Sequence, residues 1–128
     1  MARAKDPERL LTEVELELMN IVWELGGGTV ADVMAKLPAE RPLAYTSVAT
    51  MLRILEQKGI LASRKEGRGH FYRPLVERTA YQEFTLSQVV DKVFGGEPLA
   101  LARRLIDGGV LSRKDLAALK ALLGKEPS

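Results

Sequence analysis

The 128-residue chain is long enough for one compact domain, or a small domain with an appendage, and its 46% hydrophobic content excludes wholesale disorder. With no cysteine and one histidine it cannot build a disulfide framework, a thiol nucleophile, a zinc ribbon or a multi-histidine metal site, so neither a metal nor a cofactor is expected. The formal net charge of +2 gives, by itself, no reason to expect a nucleic-acid partner.

Glycine and proline divide the chain into elements. The first stretch free of both runs from Glu8 to Leu25, with Val14, Leu18, Ile21, Val22 and Leu25 at helical spacing. Thr12 followed by Glu15 is a capping-box signature, which starts the helix there, and Gly26-Gly27-Gly28 stops it. A short second helix follows, with Thr29 as N-cap, Asp32 three residues on, and Val30, Val33, Met34 and Leu37 as its apolar side up to Pro38. The third helix is predicted from Tyr45 to Lys58, closed by Gly59. Val48, Met51, Leu52 and Leu55 make its buried stripe, and Thr46, Ser47, Thr50, Arg53 and Gln57 lie on the other side. After Gly59 the period changes. Residues 60–66 and 70–73 alternate as two strands around the Gly67-Arg68-Gly69 turn, with Phe71 expected in the core and Tyr72 facing outward. Three helices and then a hairpin is the layout of a winged helix-turn-helix.

The remainder reads as helices. Thr79 with Gln82 and Ser112 with Asp115 are further capping boxes. Breaks fall at Gly95-Gly96 and Gly108-Gly109, and a short helix spans Leu99 to Asp107. The fold class expected is therefore mainly α with a small β-hairpin: a winged helix-turn-helix domain over residues 1–75, then a helical dimerisation region over 76–128. A tail of this size cannot bury enough apolar surface alone. Tyr81, Phe84, Val89, Val90, Val93, Phe94, Leu101, Leu105, Ile106, Leu116 and Leu119 are its candidates for pairing with a second copy, giving a two-fold homodimer; folding back as a lid on the first domain is the alternative.

The net charge conceals a pattern. Residues 6–40 carry two basic and eight acidic residues, net −6, whereas residues 41–73 carry seven basic and two acidic, net +5. A polyanion responds to local potential, so the third helix and the hairpin become the candidate nucleic-acid contact. In a helix-turn-helix the second helix of the pair enters the major groove, which assigns Tyr45, Thr46, Ser47, Thr50 and Arg53 to DNA. The wing adds Arg64, Lys65 and Arg68, with His70 and Tyr72 on the return strand, for phosphate or minor-groove contact. No nucleophile elbow or hydrolase triad is present, so the chain is not expected to be an enzyme; a winged-helix protein-interaction module without DNA binding is the rival reading. No apolar run approaches the ~20 residues of a membrane span, and residues 1–6 carry no signal-like apolar stretch, so a cytoplasmic protein without membrane insertion is expected.

The run Leu11-Thr12-Glu13-Val14-Glu15-Leu16-Glu17-Leu18-Met19-Asn20-Ile21-Val22-Trp23 resembles the opening of the penicillinase-repressor (BlaI/MecI) family. The resemblance continues through Tyr45 to Gly59, Lys65-Glu66-Gly67-Arg68, Tyr72-Arg73-Pro74, Phe94-Gly95-Gly96 and the Leu-rich end, and so covers nearly the whole chain. It implies a bacterial repressor that binds palindromic operator DNA as a homodimer, ahead of β-lactamase, antibiotic-resistance or related stress genes. It also implies release by proteolysis once a membrane sensor protease is triggered. Three departures are visible: Ser47 stands where the family usually has Thr; no Asn-Phe pair, the bond cut in staphylococcal members, lies near Arg103-Arg104-Leu105; and the Cys-x-Cys motifs of copper-responsive relatives are missing.

Overall fold

The computed structural model describes residues 10–125, which form α1 (Glu13–Leu25), β1 (Gly28–Thr29), α2 (Val30–Ala35), α3 (Tyr45–Gln57), β2 (Leu61–Glu66), β3 (Gly69–Pro74), α4 (Arg78–Val93), α5 (Pro98–Asp107) and α6 (Arg113–Lys125). The chain divides into two compact units, one reaching Thr85 and the other starting at Leu86.

Capping boxes set three of the six helix starts among the described residues. Glu15 N donates to Thr12 Oγ1 at 3.2 Å and Thr12 N to Glu15 Oε1 at 2.9 Å; Thr29 with Asp32 and Ser112 with Asp115 repeat the reciprocal pair. The box expected at Thr79 and Gln82 does not form, because α4 already begins at Arg78 and places Thr79 inside the helix. Its entry is set by tertiary contacts. Val76 is fully buried, and its carbonyl accepts from Trp23 Nε1 at 2.8 Å.

The first unit closes around one aliphatic core. Leu18, Met19 and Val22 of α1, Val33 of α2, Val48, Leu52 and Leu55 of α3, and Leu61 of β2 are all essentially inaccessible to solvent. Tyr81 completes this core from α4: its hydroxyl accepts from Leu11 N at 2.8 Å and its ring lies 5.9 Å from that of Trp23. The first unit therefore continues past the hairpin into the start of α4.

The hairpin gains a third strand that the sequence does not announce. Gly28 and Thr29 pair antiparallel with Tyr72 and Phe71, so β3 is central in the order β1-β3-β2. This reverses the expected roles of two aromatics. Tyr72 is buried, at 6% exposure, and Phe71 is only partly covered. Phe71 lies over Gly27, where an added Cβ would come within 2.8 Å of its ring and where φ is +130°.

The second unit is built differently. No residue of α5 or α6 is buried, and in α4 only Tyr81 is. Val93, Leu99, Val110, Leu122 and Leu123 are each more than 60% exposed. Among the described residues no helix is long and apolar enough to cross a membrane.

Candidate nucleic-acid interface

The candidate interface begins with α3. Ala44 occupies its N-cap and supplies no side-chain hydrogen bond, so the first turn is left open. Its apolar stripe Val48, Leu52 and Leu55 anchors one side in the core, which leaves Tyr45, Thr46, Ser47, Thr50 and Arg53 exposed together on the other. The structure thus gathers all five helix residues proposed from the sequence.

Two carboxylates of α1 hold the segment in place. Arg41, in the loop before α3, grips Glu17 with Nε at 3.1 and 3.2 Å and Nη2 at 3.0 Å from the two carboxylate oxygens; this hydrogen bonding and charge raise the guanidinium pKa above its usual value. At the far end of α3, Lys58 Nζ pairs with Glu15, whose side chain is only 4% exposed. Burial pushes the Glu15 carboxyl up, but the Lys58 hydrogen bond and charge and the Thr12 hydrogen bonds outweigh it and hold it below its ordinary value.

Strand register sorts the wing residues. Ser63 pairs with Tyr72 and Lys65 with His70 across the hairpin, so these four share one face, while Arg64 opposite Phe71 occupies the other. The first face looks toward α3, since Ser63 Oγ donates to Glu56 Oε2 at 2.7 Å. Lys65 and His70 stand further out on it, exposed. Arg64 is engaged on the opposite face: its guanidinium lies 4.3 Å from the Phe71 ring centre and 3.2 Å from Glu66 Oε1. Arg68 sits exposed at the turn.

Between α3 and the wing lies a cavity of about 370 Å³, lined by Tyr45, Ala49, Arg53 and Glu56 of α3, Glu66, Gly69, His70 and Tyr72 of the wing, and Thr29, Val30 and Ala31 at the start of α2. Tyr72, expected to reach outward, instead lies within this groove. Burial raises its hydroxyl pKa, Glu56 and Tyr45 raise it further, and Arg53 lowers it. Sequence reasoning missed Thr29 and Glu56 as groove residues. Thr29 was legible only as a cap, and Glu56 only as one acid in a basic block. No cluster of three or more His, Asp or Glu residues able to hold a metal occurs among the described residues.

Residues 11–125 match the profile of the penicillinase repressor family. The chain belongs to that family. The penicillinase repressor of Bacillus licheniformis is 24% identical over 113 residues, covering 88% of this chain and 88% of the relative. An uncharacterized 16.5 kDa protein from the ptsI 3′ region of Latilactobacillus sakei is 30% identical over 113 residues, covering 88% of this chain and 77% of that protein. The solved DNA-binding domain of the repressor BlaI superposes with a TM-score of 0.51 at 30% identity, covering 60% of this chain and 92% of that domain. The first unit of this family member is thus a winged helix-turn-helix, in which α2 and α3 are the paired helices and β2–β3 is the wing.

Proposed function

We propose that this chain is a transcriptional repressor that binds a palindromic operator as a homodimer and blocks transcription by covering the promoter. The observation that carries the reading is the α3 surface. Thr46, Ser47, Thr50 and Arg53 are presented together, without a core role, on the helix that a winged helix-turn-helix offers to the major groove. The hydroxyls and the guanidinium suit base edges and phosphates, and Lys65, Arg68 and His70 suit the flanking backbone. The Bacillus licheniformis relative, a penicillinase repressor, supports the same reading.

The dimer rests on the second unit. Exposed Val93, Leu105, Ile106 and Leu116, with partly covered Val89, Val90, Phe94, Leu101 and Leu119, are not buried within the chain, and Phe84 stands just before this unit, also only partly covered. A second copy covers such a surface by symmetry, and two reading heads then address half-sites ~10 bp or a multiple of that apart. Tyr81 is left out of this set, since the first unit's core already uses it. Control of β-lactamase, antibiotic-resistance or related stress genes, action in the cytoplasm, and release through a membrane sensor protease or a protease downstream of it complete the proposal, on the strength of the family resemblance.

Selection of bound duplexes from a random pool supplies the cognate site for the test. Thr46→Ala and Ser47→Ala should each cost about 1–3 kcal/mol on the selected duplex and little on random sequence, as read by fluorescence anisotropy. Equal losses on both duplexes would mean that α3 does not read sequence, and no duplex binding at all would favour a protein-interaction module.

A further inference from the structure

The groove between α3 and the wing is lined by Arg53 and by two carboxylates, Glu56 and Glu66, and Lys65 stands exposed beside His70 on the same face of the hairpin. Glu56 follows Arg53 by one turn on the stripe that also carries Tyr45 and Ala49. The Ser63 hydroxyl, 2.7 Å from Oε2, keeps the carboxylate turned toward β2 and in the groove. Three other acids of the first unit have cationic partners, Glu15 with Lys58, Glu17 with Arg41 and Glu66 with Arg64. Glu56 makes no ion pair among the described residues; its hydrogen-bond partner is the neutral Ser63 hydroxyl, so it brings a negative charge into the groove beside Arg53.

We propose that Glu56 is a selectivity residue, one that penalises duplexes held by charge alone more than duplexes that are also held by base contacts. This rests on the DNA-binding reading above. Base contacts from Thr46, Ser47 and Thr50 fix the register of a cognate duplex, so its phosphates settle against Arg53, Lys65 and His70. A non-cognate duplex has no fixed register. Its backbone samples the whole groove, including positions facing Glu56, and its affinity is almost entirely electrostatic. The negative charge of Glu56 therefore costs the non-cognate complex more.

Glu56→Gln removes the charge and keeps an acceptor for Ser63. In the full chain at about 100 mM salt it should raise affinity for a random-sequence duplex about threefold or more, the scale of one added phosphate contact, and raise affinity for the selected duplex distinctly less. Glu56→Asp, which retains the charge, should keep the wild-type ratio. Glu56→Ala should show the same ordering as Gln and covers the case in which the Gln variant folds poorly, as judged by thermal melting. If Glu56 served only to brace the wing through Ser63, Ala would weaken binding on both duplexes and Gln would change neither, which overturns the proposal. Equal gains on both duplexes overturn it too. Wild-type protein that binds neither duplex in a salt-dependent way would remove the DNA-binding reading and the proposal together; wild-type binding with no gain in Glu56→Gln removes the proposal alone.

Discussion

Cutting the chain after Thr85 should leave a folded monomer whose affinity for a two-half-site duplex is about 10²–10⁴ lower than that of the full chain, because a second half-site contact is no longer intramolecular. The cut preserves every core contact of the first unit, including Val76 and Tyr81. It removes α5, α6 and the distal part of α4, none of which contributes a buried residue. Light scattering gives the mass and anisotropy the affinity; a truncated protein that binds as tightly as the full chain would rule out dimerisation as the source of affinity. The position of the cut matters. Ending at Pro74, where the hairpin closes, would delete Val76, the acceptor for Trp23 Nε1, and Tyr81, the acceptor for Leu11 N, and such a fragment should not fold stably.

Leu52→Ala should destabilise the first unit by about 2–5 kcal/mol, a large share of the ~5–15 kcal/mol that holds a typical domain. Leu52 is fully buried on the inner stripe of α3, between Val48 and Leu55. Its opposite face carries Thr50 and Arg53, so this side chain fastens the helix proposed to read DNA to the core of the first unit. Chemical denaturation should show a lowered midpoint, and duplex binding at a temperature where the variant remains folded should be close to wild type. A variant of unchanged stability would mean that α3 is not anchored as described. Loss of binding in fully folded protein would give Leu52 a role beyond packing.

Much of this was legible from residue spacing, because the physics is local. Capping boxes at Thr12–Glu15, Thr29–Asp32 and Ser112–Asp115 depend on groups three residues apart, and the stripe Val48, Leu52, Leu55 depends only on helical period. What escaped depends on partners distant in the chain. The two-residue strand β1 is too short to have a period, yet it makes β3 central and decides that Tyr72, not Phe71, is buried. The start of α4 is set by Trp23 and Val76, 53 residues apart, rather than by Thr79. Charge counting located the basic block but overstated its freedom. Arg41 and Lys58 are engaged by Glu17 and Glu15 of the acidic helix, and Arg64 by Glu66; of the other four, Arg73 lies on the Arg64 face of the hairpin, so the residues left on the α3 side and at the turn are Arg53, Lys65 and Arg68, with His70 beside them. The same accounting isolates Glu56, which composition hides among its basic neighbours.

Duplex DNA binding by the α3–wing surface is tested most directly by a salt titration of wild-type binding to the selected duplex. Affinity should fall steeply and log-linearly between ~50 and ~200 mM salt, with a slope that reports several phosphate contacts, and Arg68→Ala should reduce that slope by about one. Affinity that is flat across that range, or a slope that Arg68→Ala leaves unchanged, would contradict the account.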